Sequence, residues 1–219
     1  MGLAKNARDA AYMPERTEML RRKPGIELMG VGGDGLSALG MKLTRHCRET
    51  SFMGFTEVLK NLGTIRQLFK EVKRDILAFK PDAVLLVDYP GFNLKIARYC
   101  KEKNIKVFYY ISPQVWAWKK NRIETIRNSV DRLLTILPFE KEFYAKEGVE
   151  VDYVGHPLLD EISEFNFDRE KVRKEFSPDG KPIVAILPGS RTQEITRMLP
   201  IMLNAAKKFP GVQFVIAAA

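Results

Sequence analysis

Lys106-Val107-Phe108-Tyr109-Tyr110-Ile111-Ser112-Pro113-Gln114-Val115-Trp116-Ala117-Trp118-Lys119 sets a β-branched, aromatic run directly before a proline and both tryptophans of the chain. Residues 106 to 111 read as a strand, Pro113 stops it, and helical spacing resumes from Lys119. The loop between them lies at a strand's carboxyl end, the edge at which open α/β sheets bind their ligands. Two tryptophans there suit either recognition or closure of a small apolar cluster, since tryptophan is mostly buried.

Outward from this stretch, short apolar runs recur. Strands are expected at 26–31, 83–87, 107–111, 133–137, 151–154, 183–187 and 212–217, several of them continuous apolar runs suited to burial on both faces. Helix-like stretches at 55–79, 93–103, 119–129, 140–147 and 193–209 separate them. Strand and helix in alternation imply a parallel sheet with right-handed crossovers, an α/β fold. After Val154 the rhythm breaks at Gly155-His156-Pro157, and a polar segment around 168–182 carries the turn residues Ser177-Pro178-Asp179-Gly180. The expected domains are 1–162 and 163–219.

With 219 residues, 45% of them apolar, the chain can bury a substantial core. No run approaches the roughly 20 apolar residues of a membrane span, and residues 1 to 22 lack the apolar centre of a signal peptide. The expectation is a cytoplasmic protein. Cys47 and Cys100 lack metal-ligand spacing and read as reduced, structural thiols. His46 and His156 have no acidic or cysteine cluster around them in sequence, which argues against a catalytic zinc or a Ser-His-Asp triad.

The net charge is +9, with 27 basic against 20 acidic residues up to residue 160 and 9 against 7 beyond it. Such an excess suits nucleic acid, anionic lipid or a phosphorylated substrate, and charge alone does not choose. Lys119, Lys120, Arg122 and Arg127 follow the tryptophan loop among apolar residues, a combination that suits a membrane interface or an ordinary solvated helix face. No compact basic cluster with a recognition motif points to nucleic acid.

Three features carry chemistry. Asp88-Tyr89-Pro90-Gly91-Phe92-Asn93 follows the strand 83–87, so Asp88 lies at the ligand edge, positioned to act as a base, while Asn93 can open the next helix. Asp88 could instead bond the N–H groups of its own turn. Leu187-Pro188-Gly189-Ser190-Arg191 ends another strand before a helix. There Gly189 permits close backbone approach, Ser190 can cap, the helix start offers free N–H groups to an anion, and Arg191 can clamp a phosphate. It lacks the Gly-Lys-Ser/Thr ending of a P-loop. Met53-Gly54-Phe55-Thr56-Glu57-Val58-Leu59 opens an amphipathic stretch that suits either core or an acyl or membrane surface.

These motifs, with Leu137-Pro138-Phe139-Glu140-Lys141-Glu142-Phe143-Tyr144 and Val154-Gly155-His156-Pro157-Leu158, resemble those of the lipid-A-disaccharide synthases in order and spacing, from about Gly25 onward. The resemblance implies a GT-B glycosyltransferase: a Rossmann-like acceptor domain followed by the start of a Rossmann-like donor domain. It implies an acceptor, 2,3-diacylglucosamine 1-phosphate, taken from the inner face of the inner membrane, and a donor, UDP-2,3-diacylglucosamine. Asp88 would be the catalytic base. Gly189, Ser190, Arg191 and Glu194 would meet the donor diphosphate, while Met53, Gly54, Glu57, Asn93, Ser112, Trp116 and Trp118 would line the acceptor and membrane side. Inversion at the anomeric carbon, no cofactor and no metal are implied as well. Other GT-B transferases, UDP-sugar epimerases and a non-catalytic membrane-surface module stay open as alternatives.

Two departures accompany the resemblance. The family's opening strand and Gly-Glu-Ala-Ser-Gly-Asp turn have no counterpart here, and the family's downstream nucleotide-binding residues lie beyond Ala219. The expectation is a fragment with slow or absent turnover, weak nucleotide binding and poor solubility from an unpaired strand edge at 212–217.

Overall fold

The computed structural model describes residues 25–47, 62–117, 119–164, 166–190 and 192–217. Met53, Gly54, Glu57, Trp118 and Arg191 lie outside them. The chain divides into two compact units, one running to Ile162 and the other beginning at Ser163.

In the first unit β1 (Met29–Gly32) pairs in parallel with β2 (Lys42–His46), joined by the short α1 (Asp34–Ala38). After α2 (Leu62–Phe79) comes a four-stranded parallel ladder of β3 (Ala83–Val87), β4 (Lys106–Tyr110), β5 (Arg132–Thr135) and β6 (Asp152–Tyr153), in that order. α3 (Pro90–Glu102), α4 (Arg122–Ser129) and α5 (Pro138–Lys146) connect these strands, and α6 (Pro157–Glu164) follows β6. The register Val87↔Tyr110 brings the carboxyl ends of β3 and β4 level, which sets their two loops side by side.

The core explains why these elements form. Leu68, Val72 and Ile76 recur every four residues on α2 and are buried together with Val84 and Leu86 of β3, Ile96 and Ala97 of α3, Val107 and Tyr109 of β4, and Ile126 and Leu133. Each fully buried aliphatic side chain contributes about 1.5–3 kcal/mol. Within 62–79 the amphipathic stripe is therefore core. Cys100 is buried in the same cluster, where desolvation pushes its thiol up to about 11. Among the described residues no helix is long and apolar enough to cross a membrane.

In the second unit α7 (Arg169–Phe176) precedes β7 (Ile183–Ile186), and α8 (Thr192–Ala206) returns the chain to β8 (Gln213–Ile216), parallel to β7. Leu187 and Ile201 are 69% and 64% exposed, so this unit leaves much apolar surface in solvent.

Several boundaries differ from the expectations. The polar segment at 168–182, where no helix was expected, contains α7, whose first turn is capped by the Asp168 side chain accepting the N–H groups of Glu170 and Lys171, both at 3.0 Å. β2 and α1 were not expected. α3 opens at Pro90 rather than Asn93, as proline favours the first helical position. α4 opens at Arg122 because Lys119 takes a left-handed φ of 57° that a helix cannot contain.

Candidate active site

The loop after β3 adopts a conformation that its residue types do not favour. Asp88 and Tyr89, in succession, both have φ of 45°, in the left-handed region that non-glycine residues avoid. Each such residue costs about 1–3 kcal/mol and persists only where its surroundings impose it. Here the surroundings are explicit. The Asp88 carbonyl accepts hydrogen bonds from the Asn93 side-chain amide at 2.6 Å and from the Tyr109 hydroxyl at 2.7 Å. The Asn93 amide also donates to the Val87 carbonyl at 3.0 Å, and the Asp88 N–H donates to the Tyr110 carbonyl at 3.0 Å. Asn93 and Tyr109 are fully buried, so the turn is clamped from the core side.

The clamp leaves the Asp88 residue exposed at the rim of the sheet. Its carboxyl nevertheless borders enough protein for desolvation to raise its pKa above the ordinary carboxylate range, against an opposing hydrogen bond from the Tyr89 N–H. Asp88 thus bonds its own turn and also stands at the ligand edge. A raised carboxyl pKa suits proton acceptance. Burial likewise raises the Tyr109 hydroxyl, which holds it as a neutral donor to the turn.

The neighbouring loop, at the end of β4, is strained too. Ile111 has φ of 61°, an outlier for a β-branched residue. Ser112 is buried and donates its hydroxyl to Glu140, which is itself buried; the Tyr144 hydroxyl reaches the Pro113 carbonyl at 3.1 Å. Trp116 is 40% exposed and meets Phe139 edge to face, with centroids 5.1 Å apart at 82°. Of the residues expected on the acceptor side, Trp116 reaches solvent, whereas Asn93 and Ser112 point their polar atoms into the protein.

In the second unit Gly189 has φ of 106°, and a Cβ added there would meet Glu194 Oε2 at 2.5 Å and its Cβ at 2.8 Å. Glu194, at the third position of α8, folds back so that its carboxylate accepts the Ser190 N–H at 3.2 Å. Gly189→Ala is therefore expected to lose about 1–2 kcal/mol from the left-handed backbone alone and to displace Glu194. Faster amide exchange confined to 183–194 would register it, and an unchanged rate would contradict it.

Sequence reasoning missed Tyr109 and Glu140. Glu140 carried one legible signal, a glutamate at the third helical position after Pro138, where it reaches back to the helix start. Tyr109 carried none beyond its place near a strand's end. Among the described residues no group of three or more His, Cys, Asp and Glu side chains is arranged to hold a metal ion.

The lipid-A-disaccharide synthetase family model matches residues 11–217. The chain belongs to the lipid-A-disaccharide synthetase family. A lipid-A-disaccharide synthase of Syntrophus aciditrophicus is 46% identical over 189 residues, covering 86% of this chain and 49% of that protein. Lipid-A-disaccharide synthase 1 of Legionella pneumophila (strain Philadelphia 1) is 42% identical over 202 residues, covering 90% and 52%. The chain spans about half the length of the curated relatives it matches. Among solved structures, a UDP-GlcNAc 2-epimerase from Neisseria meningitidis bound to UDP-GlcNAc has a TM-score of 0.52 at 14% identity, covering 96% of this chain and 62% of that one. That likeness concerns the fold, which is of the α/β, GT-B type with Rossmann-like parallel sheets. Family membership sets the synthetase reading above the other GT-B transferases and epimerases that sequence alone left open.

Proposed function

We propose that this chain carries the acceptor half and the beginning of the donor half of a glycosyltransferase that makes the lipid A disaccharide. Asp88 takes the proton from a hydroxyl of 2,3-diacylglucosamine 1-phosphate. The oxygen then bonds to the anomeric carbon of UDP-2,3-diacylglucosamine, and the bond from that carbon to the diphosphate breaks, with UDP leaving on the opposite face with the electron pair. The configuration inverts. Arg191 and the amides around Gly189 and Ser190 receive the leaving diphosphate, without a metal ion or other cofactor. The observation that carries this reading is the clamped left-handed turn, which spends backbone strain to present one carboxylate at the ligand edge.

Trp116 with Phe139, Trp118 and the basic residues that follow form the surface that meets acyl chains and anionic lipid on the inner face of the inner membrane. Met53, Gly54 and Glu57 belong to the same acceptor side. Asn93 and Ser112 serve it indirectly, as supports of the two loops. Nucleic acid has no role.

Glu194 has a conditional part. Its carboxylate accepts the Ser190 N–H that a diphosphate would seek, and two anions in one cradle repel. Glu194→Gln, which can still accept that hydrogen bond, is expected to tighten binding of UDP or pyrophosphate, followed by chemical shifts of the 187–195 amides. Weaker binding in this variant would make the carboxylate a required partner instead.

The direct test incubates the 219-residue chain with both acylated substrates in mixed micelles and follows UDP release. Slow release that needs both substrates and Asp88, with unacylated UDP-sugars inert, is the expected result, the low rate following from the weak nucleotide binding expected of this chain. Equal release from unacylated UDP-sugars would favour a different transferase.

A further inference from the structure

Two strand ends, those of β4 and β5, meet around one buried carboxyl group. Glu140 is 1% exposed and Ser112 5% exposed. One Glu140 oxygen accepts the Ser112 hydroxyl of the β4 loop, and the other accepts the N–H groups of Leu137 at 3.0 Å and Ile136 at 3.3 Å, just after β5. One helical turn later on α5, Tyr144 donates to the Pro113 carbonyl of the same β4 loop. Burying a carboxyl group is costly, and an apolar residue of similar volume would often serve a core as well. The location therefore needs a reason.

The reason is what these bonds hold. Ile111 is kept at φ 61°, Val115 is driven into the core, and between these constraints the chain turns Trp116 outward onto Phe139, the residue adjacent to Glu140. Trp116 and Phe139 are 40% and 47% exposed, so among the described residues this aromatic pair faces solvent. Without the bonds to α5, strain at Ile111 would favour relaxation of the loop.

We infer that Glu140 is the positioning residue of the acceptor edge: through Ser112 and the backbone at 136–137, with Tyr144 assisting, it locks the 111–117 loop so that Trp116 and Phe139 form a fixed aromatic platform for an acylated sugar phosphate. The ligand class rests on the proposed function; the lock does not.

The test uses the full 219-residue chain and the variants Glu140→Ala and Glu140→Gln, because glutamine retains an acceptor for the backbone and can donate to the serine oxygen. In Glu140→Ala, amides at 112, 114–117 and 136–137 are expected to exchange about tenfold to a hundredfold faster, as for loss of a buried hydrogen-bond network, with amides of β3 unchanged and tryptophan emission shifted to the red. Glu140→Gln should restore most of the protection and the emission. Unchanged loop exchange in Glu140→Ala, or equal disruption in Glu140→Gln, would overturn the inference. Should Glu140→Ala unfold the whole unit, Ser112→Ala decides by the same localised readout.

Binding to phosphatidylcholine vesicles containing 2,3-diacylglucosamine 1-phosphate separates the two layers. Loss of about tenfold in affinity in Glu140→Ala, with recovery in Glu140→Gln, supports platform and ligand together. If the unaltered chain ignores these vesicles, the acceptor reading fails and the exchange data alone judge the lock.

Discussion

Asp88→Asn is expected to lower transfer by about 10²- to 10⁴-fold, the usual contribution of a positioned base, while leaving acceptor binding in place. Asparagine keeps the size of the side chain and can still accept the Tyr89 N–H, so the turn has no reason to rearrange. The same substitution has a stability consequence of definite sign. The folded carboxyl titrates above its unfolded value because desolvation outweighs the Tyr89 hydrogen bond. The stability associated with this group is therefore fully present below its unfolded pKa, about pH 4, and is lost as pH rises through the folded pKa. At pH 7, above its unfolded pKa, the desolvated Asp88 carboxyl lowers stability, and Asp88→Asn should melt at a higher temperature than the unaltered chain. Below about pH 4 the two should converge. Exposure of the residue at the rim limits the size of the gap through solvent screening, not its direction. Thermal melts at pH 3 and pH 7, set beside the transfer assay, measure both effects. A variant that is inactive yet less stable at pH 7 would mean that the carboxylate serves the turn, not the chemistry.

Much of the fold was open to reading because buried parallel strands announce themselves. Ala83-Val84-Leu85-Leu86-Val87 forms β3 with those bounds, since an apolar run between Asp82 and Asp88 has few other places to go. Lys42-Leu43-Thr44-Arg45-His46 gave no such signal. It pairs only with β1 among the described strands, remains partly accessible along its length, and carries charge where a central strand would carry apolar side chains. α7 escaped for a related reason: none of its residues is buried, so only the Asp168 cap marked it.

The candidate site was legible as a location and not as a device. Asp88 after an apolar strand, and Gly189 before a helix, both follow from strand-to-helix turn chemistry. The left-handed pair at Asp88 and Tyr89 does not, because neither residue type prefers that conformation. It is imposed from residues 5 and 21 positions away, as Glu140 imposes the β4 loop on Ser112 across 28. Asn93 and Ser112 illustrate the difference. Their polar side chains at a ligand edge invite assignment to substrate contact, whereas burial turns Asn93 toward the backbone carbonyls of Val87 and Asp88 and Ser112 toward the Glu140 carboxylate.

That distinction makes Asn93→Ala the second substitution with a large expected effect, acting through Asp88 without removing it. The variant withdraws the 3.0 Å and 2.6 Å bonds to the Val87 and Asp88 carbonyls from a fully buried position. Each such bond contributes about 0.5–1.5 kcal/mol, and the Asp88 carbonyl keeps the Tyr109 hydroxyl as its remaining partner. Relaxation of the left-handed turn would return part of the roughly 1–3 kcal/mol per residue stored there, so the net loss of stability should be smaller than the sum of its parts. Function gains nothing from that relaxation. As the turn opens, the Asp88 carboxyl becomes better hydrated, and its pKa should fall back toward the ordinary range while transfer collapses. Tyr109→Phe removes the other bond to the same carbonyl, so the two substitutions should couple by about 0.5–3 kcal/mol in a double-mutant cycle. Urea unfolding gives the coupling, and carbon-13 titration of the Asp88 carboxyl gives the shift. Strict additivity, with an Asp88 titration unmoved in either variant, would show that the turn holds itself and that Asn93 and Tyr109 contribute only to the core.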